Sequence, residues 1–573
     1  MNLSEKQQFF VNRIIEIFHK DSVDSYRVKY HNAYTLLLEC QEVLNYWQNG
    51  NVNIFDTIEL CLDETYKSLQ KDTFISYNCC SKNIFLNEII VYKNSKGNRE
   101  KSRHFEFFLD EVISENKDLY FNKIIERLKD TLVKSPSIIS KNKIAEFEEL
   151  DQVIGAFASQ LVHLGFSKIF LFQTFLKNFQ KSDDNFDDAF DKVVSLLTDG
   201  NLVKRTVIFR IYVIQKNNWV CPELGLQEEI PMDILNDYIK EKNKSFIEPS
   251  QNNYFYIFEA EKSHDSISAI KLARQDLSNK LDMLHLGNNL LNIELPNKGL
   301  IIYKDNQDLR FDNKTEYILD GYYGNEDQSN TIQIKEQIEK TITNKYVKED
   351  VKERLTSALR HLRIGNTQKE LEQRFINYWI ALEFLFASPK AEAHTFSRLK
   401  SNIVNILLAG YMKRNLFDIN KQLINNEIIS KNESIENQNV LEKAKEHPNL
   451  CSLLEYRLSK WTSLLNGNKD KRKDYFSSHK TNVTQHIARI YRLRNELIHE
   501  AAIKQDIESI TSNLRYYLVF VINQMIEYFS KIDNGEQEMD DFFYKYDMLV
   551  KKIEESYDLD VILKVPLPSI IVV

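Results

Sequence analysis

The chain is short of the residues that bend a backbone. Its 573 residues include 14 glycines and 9 prolines, about 4% together, where average usage gives about 12%. That deficit excludes collagen-like, Gly/Ser-linker and proline-rich disordered classes. It also weighs against turn-dense sandwiches and propellers, whose tight turns need both residues. Cysteine is scarce too. Cys40, Cys61, Cys79, Cys80, Cys221 and Cys451 form no C-x-x-C pair, and the adjacent Cys79 and Cys80 are poorly placed to bridge each other. Reduced thiols are expected rather than a disulfide framework. Long apolar runs are missing as well: the best, Tyr516 to Ile526, lies between Arg515 and Glu527 and is about half a membrane span. The opening MNLSEKQQFF has neither the basic nor the apolar region of a signal peptide. These absences predict a cytoplasmic protein with no membrane partner.

What is present suits a large core. Hydrophobic residues make up 43% and aromatics 12%, enough to exclude global disorder. The net charge of -8 is uneven. Residues 331–530 carry about +8, 1–330 about -11 and 531–573 about -5. A basic module that meets a polyanion, carried by an acidic one, is one reading of that split.

Helical spacing dominates residues 1–199, with Phe9, Phe10, Ile14, Ile17 and Phe18 as its clearest case. The KSDDNFDDAFD run at 181–191 reads as a helix entry, since acidic side chains favour a helix N-terminus. Residues 200–330 change character. Val203, Val207, Phe209, Ile211 and Val213 mark a strand, Tyr254–Phe258 and Leu300–Tyr303 two more, and Ser266–Leu286 an amphipathic helix between them. This predicts a small α+β domain, with Asn325–Asn330 as a linker. Residues 331–532 return to amphipathic helices without strands, a bundle pattern. Within them 413–450 is expected to be a mobile insertion and Lys469–Lys480 a loop. Residues 533–573 are left as an extension ending in PLPSIIVV, expected to be extended.

No P-loop, H-E-x-x-H, G-x-S-x-G or dinucleotide fingerprint occurs, and no metal or other cofactor is expected. One segment carries plausible chemistry: ARIYRLRNELIHEAA at 488–502, with Arg494, Asn495 and His499. An arginine followed by a histidine after four to six residues occurs six times, so spacing alone says little. The Asn directly after Arg494, and the amphipathic helix around it, set this pair apart. A metal-free ribonuclease must deprotonate a ribose 2′-hydroxyl, stabilise a phosphorane and protonate the leaving oxygen. Histidine suits a proton transfer near neutral pH, and arginine offers phosphate a charged fork. Asn495 and His499 share a helical face, whereas Arg494 lies about 140° from His499. Arg492, seven residues before His499, shares its stripe and competes for the phosphate role. Lys471, Arg472 and Lys473 either track an RNA backbone or are simply solvated. Residue types alone also allow a buried histidine and two solvated arginines.

RNELIHEA (494–501), QRFINYWIALEFLFA (373–387) and ALRHLRIG (358–365) together resemble the HEPN ribonuclease domains, specifically the Apea-like group of bacterial anti-phage proteins. The resemblance spans roughly 340–530. It implies a C-terminal HEPN bundle of four to five helices, from which the insertion at 413–450 departs; together with the helical and α+β N-terminal region read from the residue pattern, which the resemblance does not cover, the fold class is mainly α. The resemblance further implies a homodimer or higher homo-oligomer with a composite site. The activity implied is metal-independent endoribonuclease cleavage of RNA, tRNA included, by 2′-hydroxyl attack, in abortive infection after a phage-derived trigger. Trp379 and Glu383, in the second block, are read as structural, Glu383 pairing with a base such as Arg398. The alternatives are a non-catalytic HEPN adaptor for dimerisation and RNA binding, and an antitoxin-regulated toxin. The acidic N-terminal region is expected to restrain the basic module.

Overall fold

The computed structural model describes residues 3–19, 31–49, 55–133, 140–181, 184–198, 202–231, 233–285, 293–305, 308–316, 328–387, 395–499 and 507–567. The chain divides into two compact units, one of residues 161–319, the other of residues 3–160 together with 320–573. This differs from the boundaries read from the sequence. The α+β unit starts at 161 rather than 200, and the N-terminal helices form one unit with the C-terminal ones.

The larger unit begins with α1 (Glu5–Phe18), α2 (Ala33–Gln48), α3 (Phe55–Lys71), α4 (Lys82–Asn94), α5 (Arg99–Asn116), α6 (Leu119–Val133) and α7 (Ser140–His163), whose last three residues pass into the smaller unit. Local sequence starts these helices. Ser4 Oγ accepts from Gln7 N, and the Gln7 side chain accepts in return from Ser4 N, which satisfies two otherwise unpaired donors. Asn32 and Thr35 do the same for α2. Phe9, Phe10, Ile14 and Phe18 then bury the face that their spacing announces.

In the smaller unit α8 (Lys168–Phe179) and α9 (Phe186–Thr198) precede the sheet. The acidic run does enter a helix, with Asp187 and Asp188 in the first turn of α9, and the cap is an amide: Asn185 Oδ1 accepts from Asp188 N at 2.9 Å. The sheet comprises β1 (Val203–Tyr212), then, after α10 (Val220–Leu224), β2 (Leu226–Gln227). α11 (Asp237–Lys242) and α12 (Lys244–Ile247) lead to β3 (Asn253–Ser263), followed by α13 (Ser266–His285), β4 (Lys298–Asp305) and β5 (Asp308–Glu316). The order is β2-β3-β1-β4-β5, and every pairing is antiparallel. Alternation decides the faces. Val207, Phe209 and Ile211 pack with Ile270, Ala273 and Leu277 of α13, while Ile208 joins Leu235, Ile239 and Phe255 on the opposite face. The five strands and both flanking faces thus give this unit a core of its own.

The larger unit resumes with α14 (Gln328–Thr343), α15 (Glu349–Thr367), α16 (Leu371–Phe386), α17 (Thr395–Ala409), α18 (Tyr411–Asn425), α19 (Gln438–Lys445), α20 (Ser452–Leu465), α21 (Lys469–His499), α22 (Glu508–Phe529), α23 (Met539–Ser556) and α24 (Leu559–Leu563). α16 packs against α15, α21 and α22, and α17 against α21, α22 and α23. Three expectations are corrected. Residues 413–450 are no loose insertion, because Leu416, Leu423, Ile435, Leu441 and Ala444 join the core. Lys469–Lys480 is the start of α21 rather than a loop; lysine and arginine are good helix formers and nothing there breaks the helix. Residues 533–565 are no appendage, since Phe542, Tyr546, Val550 and Ile553 are buried in the same core. Of the expected linker, Gln328–Asn330 open α14, and 325–327 lie outside the described residues, as do 568–573 of the tail.

Candidate functional site

α21 is 31 residues long and so runs about 46 Å at 1.5 Å per residue. Its C-terminal turns carry all the residues proposed for chemistry. Arg492 and Arg494 are two positions apart, which on a helix turns their side chains about 200° from each other. Their surroundings differ accordingly.

Arg494 faces α16. Its Nη2 lies 3.6 Å from Glu383 Oε1, and its Nη1 donates to Asn495 Oδ1 at 3.1 Å. Its Nε is buried with no hydrogen-bond partner among the described residues. Among the described residues the guanidinium is thus oriented by one amide and loosely held by one carboxylate, with donor capacity left for an anion. Asn495 is buried. His499 is the last residue of α21, and its side chain lies outside the described residues. Glu383 was expected to pair with a basic side chain of the bundle, with Arg398 as the example; the basic side chain it meets is Arg494, while Arg398 lies 3.5 Å from Asp540. Glu383 therefore belongs to the candidate site. Trp379 has the structural place expected of it: it is 1% exposed and tilts against Tyr491, with ring centroids 5.8 Å apart.

Arg492 faces the other way, and its expected phosphate role is not what its surroundings provide. It is 4% exposed. Its Nη1 donates to the Thr57 carbonyl of α3 at 2.9 Å, and its Nη2 donates to Glu39 of α2. Arg489, one turn earlier, joins it. Its Nε and Nη2 donate to the two oxygens of Glu39 at 2.7 and 2.6 Å, and Nη2 also reaches Glu64 Oε2 of α3 at 2.8 Å. His31 Nε2 stands 3.7 Å from Glu39. Burial alone would push the Glu39 carboxyl up, but Arg489, His31 and Arg492 together hold it well below the usual carboxylate range. Burial raises Glu64, and the single contact with Arg489 does not offset it. His486 sits beside this cluster with its Nδ1 2.8 Å from Tyr517 Oη. Burial, reinforced by Arg489 and His31, pushes it down to about 3, so it is neutral.

The basic run at the start of α21 is also committed largely to structure. Arg472 donates to the carbonyls of Tyr557 (2.7 Å), Leu464 (3.1 Å) and Gly467 (2.8 Å), tying the end of α20 to the end of α23. Lys471 Nζ donates to Ser463 Oγ at 2.9 Å, while Lys473 is exposed. Arg472 is corrected from an RNA contact to a clamp on carbonyls left unpaired where helices end.

Sequence reading passed over Glu39, Glu64 and Arg489. The one signal for them was the opposite charge of the two regions, which does not single out residues. Among the described residues no group of three or more His, Cys, Asp or Glu side chains is gathered to hold a metal ion, and no helix is long and apolar enough to cross a membrane. No protein-family model, curated protein or solved structure matches this chain.

Proposed function

We propose that the chain is a metal-independent endoribonuclease whose C-terminal helices form a HEPN-type bundle, acting in anti-phage defence as a dimer with a composite site. The observation that carries the reading is the approach of Glu383 to Arg494. The two residues come from separate blocks that resemble the same family, and they meet where α16 packs against α21. In the proposed reaction His499 transfers a proton to or from the reacting ribose or leaving oxygen. Arg494 stabilises the charge that builds on the phosphorane oxygens. Asn495, which accepts from Arg494, fixes the orientation of the guanidinium. The ribose 2′-oxygen attacks the adjacent phosphorus, the 5′-oxygen leaves with a proton, and a 2′,3′-cyclic phosphate remains.

RNA end-mapping tests this. The purified chain, incubated with total RNA and a chelator, should yield cyclic-phosphate ends, and His499→Ala should yield none while keeping its thermal midpoint. Arg494→Ala should lose on the order of 10²–10³ in rate, the usual scale for removing one oxyanion donor. Arg492→Ala should instead show itself first as lost stability. RNA binding without cleavage would favour the non-catalytic adaptor, and cleavage that requires added divalent metal would overturn the mechanism.

A further inference from the structure

α21 must present Arg494 and Asn495 at a fixed rotation, and apolar packing alone tolerates small slips of a long helix. Just before these residues lies a lock of a different kind. Glu39 receives two hydrogen bonds from Arg489 and one from Arg492, Arg489 reaches Glu64 as well, and Arg492 also donates to the Thr57 carbonyl. Both arginines are buried. Buried, charge-assisted and bidentate contacts are directional, and breaking one strands a charge in a dry interior. Rotating the end of α21 would break them together.

We infer that Glu39, seconded by Glu64, is a positioning residue for the site on α21: it fixes the rotation of the helix, so that Arg492 points to α2 and α3 and Arg494 points to Glu383. This rests on the ribonuclease reading for its catalytic consequence. The N-terminal helices then complete the enzyme, where the charge split suggested that they restrain it. A neighbouring lock provides the control. Arg457 of α20 donates to Glu16 of α1 at 2.6 Å, so it joins N- and C-terminal helices in the same way but not through α21.

Full-length Glu39→Gln and Glu16→Gln should be compared with wild type for thermal midpoint, kcat, KM and amide exchange. Both variants should lose stability. Only Glu39→Gln should lose kcat, by on the order of 10- to 100-fold as befits a misplaced group, with KM within about twofold. Exchange should quicken over 489–499 in that variant alone. Should Glu39→Gln not fold, Glu64→Gln removes one contact and carries the same comparison at smaller amplitude. Equal kcat losses in the two locks, or wild-type kcat in Glu39→Gln, would overturn the inference. If wild-type protein cleaves no RNA, the ribonuclease reading falls with the catalytic consequence. Exchange then judges the lock by itself: selective quickening over 489–499 upholds it, and unchanged exchange overturns it.

Discussion

His486 shows how burial turns an ordinary residue into a source of pH dependence. Its imidazole is packed beside Arg489, His31, Glu39 and Tyr517, and it stays neutral down to about pH 3. In the unfolded chain it titrates near 6.5. Between those values the unfolded state binds a proton that the fold excludes, so stability falls as pH drops, with a slope approaching about 1.4 kcal/mol per pH unit. His486→Gln keeps a partner for the Tyr517 hydroxyl and removes the titration. The difference in urea stability between wild type and variant should therefore shrink as pH falls from 6.5 to 4.5. A constant difference would mean that His486 is charged in the fold. Glu39, held low, adds its own loss as pH falls through its unfolded value of 4.5, the lower edge of that window, and it does so equally in wild type and variant. Such residues were illegible beforehand because their partners are remote in sequence: Arg489 and Glu39 stand 450 positions apart, and each looks like a solvated charge in its own helix. Arg494 and Asn495 could be singled out as candidates beforehand because they are adjacent in sequence.

Elements were legible where a face is apolar and the pattern is uninterrupted. β1 and α13 fall where alternation and helical spacing put them, at Val203–Tyr212 and Ser266–His285. β5, DLRFDNKTE, was missed because it is an edge strand with few apolar residues. The first turns of α21 were missed because a solvated, charged helix face resembles a loop in composition. Glycines inside helices test how closely elements meet. A Cβ on Gly365 of α15 would lie 2.5 Å from the ring of Tyr378 on α16, whereas one on Gly155 of α7 would meet nothing within 4 Å. Gly155→Ala should therefore stabilise by about 0.5–1 kcal/mol, the usual gain from reduced chain entropy in a helix. Gly365→Ala should destabilise by about 1–3 kcal/mol, because overpacking outweighs that gain. Denaturant midpoints measure both. Stabilisation by Gly365→Ala would show that α15 and α16 can separate at no cost.

At the scale of the molecule, charge asymmetry was legible but its meaning was not. Part of the basic excess of the C-terminal region is spent internally, through Arg457 on Glu16 and Arg489 and Arg492 on Glu39, so it is not all offered to a polyanion. This changes what a truncation tests. Removing residues 1–325 was the natural way to look for restraint by the N-terminal region, yet it takes away Glu16, Glu39 and Glu64 and leaves three buried arginines without their carboxylates. Each broken buried pair costs about 3–5 kcal/mol, and total stability is typically about 5–15 kcal/mol. Fragment 326–573 is therefore expected to be unfolded or insoluble, and inactive for that reason. Residues 161–319 should behave in the opposite way. They own a five-stranded sheet with apolar residues on both faces, covered by α13 on one and α11 with α12 on the other. Expressed alone they should give a single cooperative urea transition followed by circular dichroism. A folded 326–573, or a 161–319 that fails to fold, would reverse this assignment of where the chain's independent unit lies.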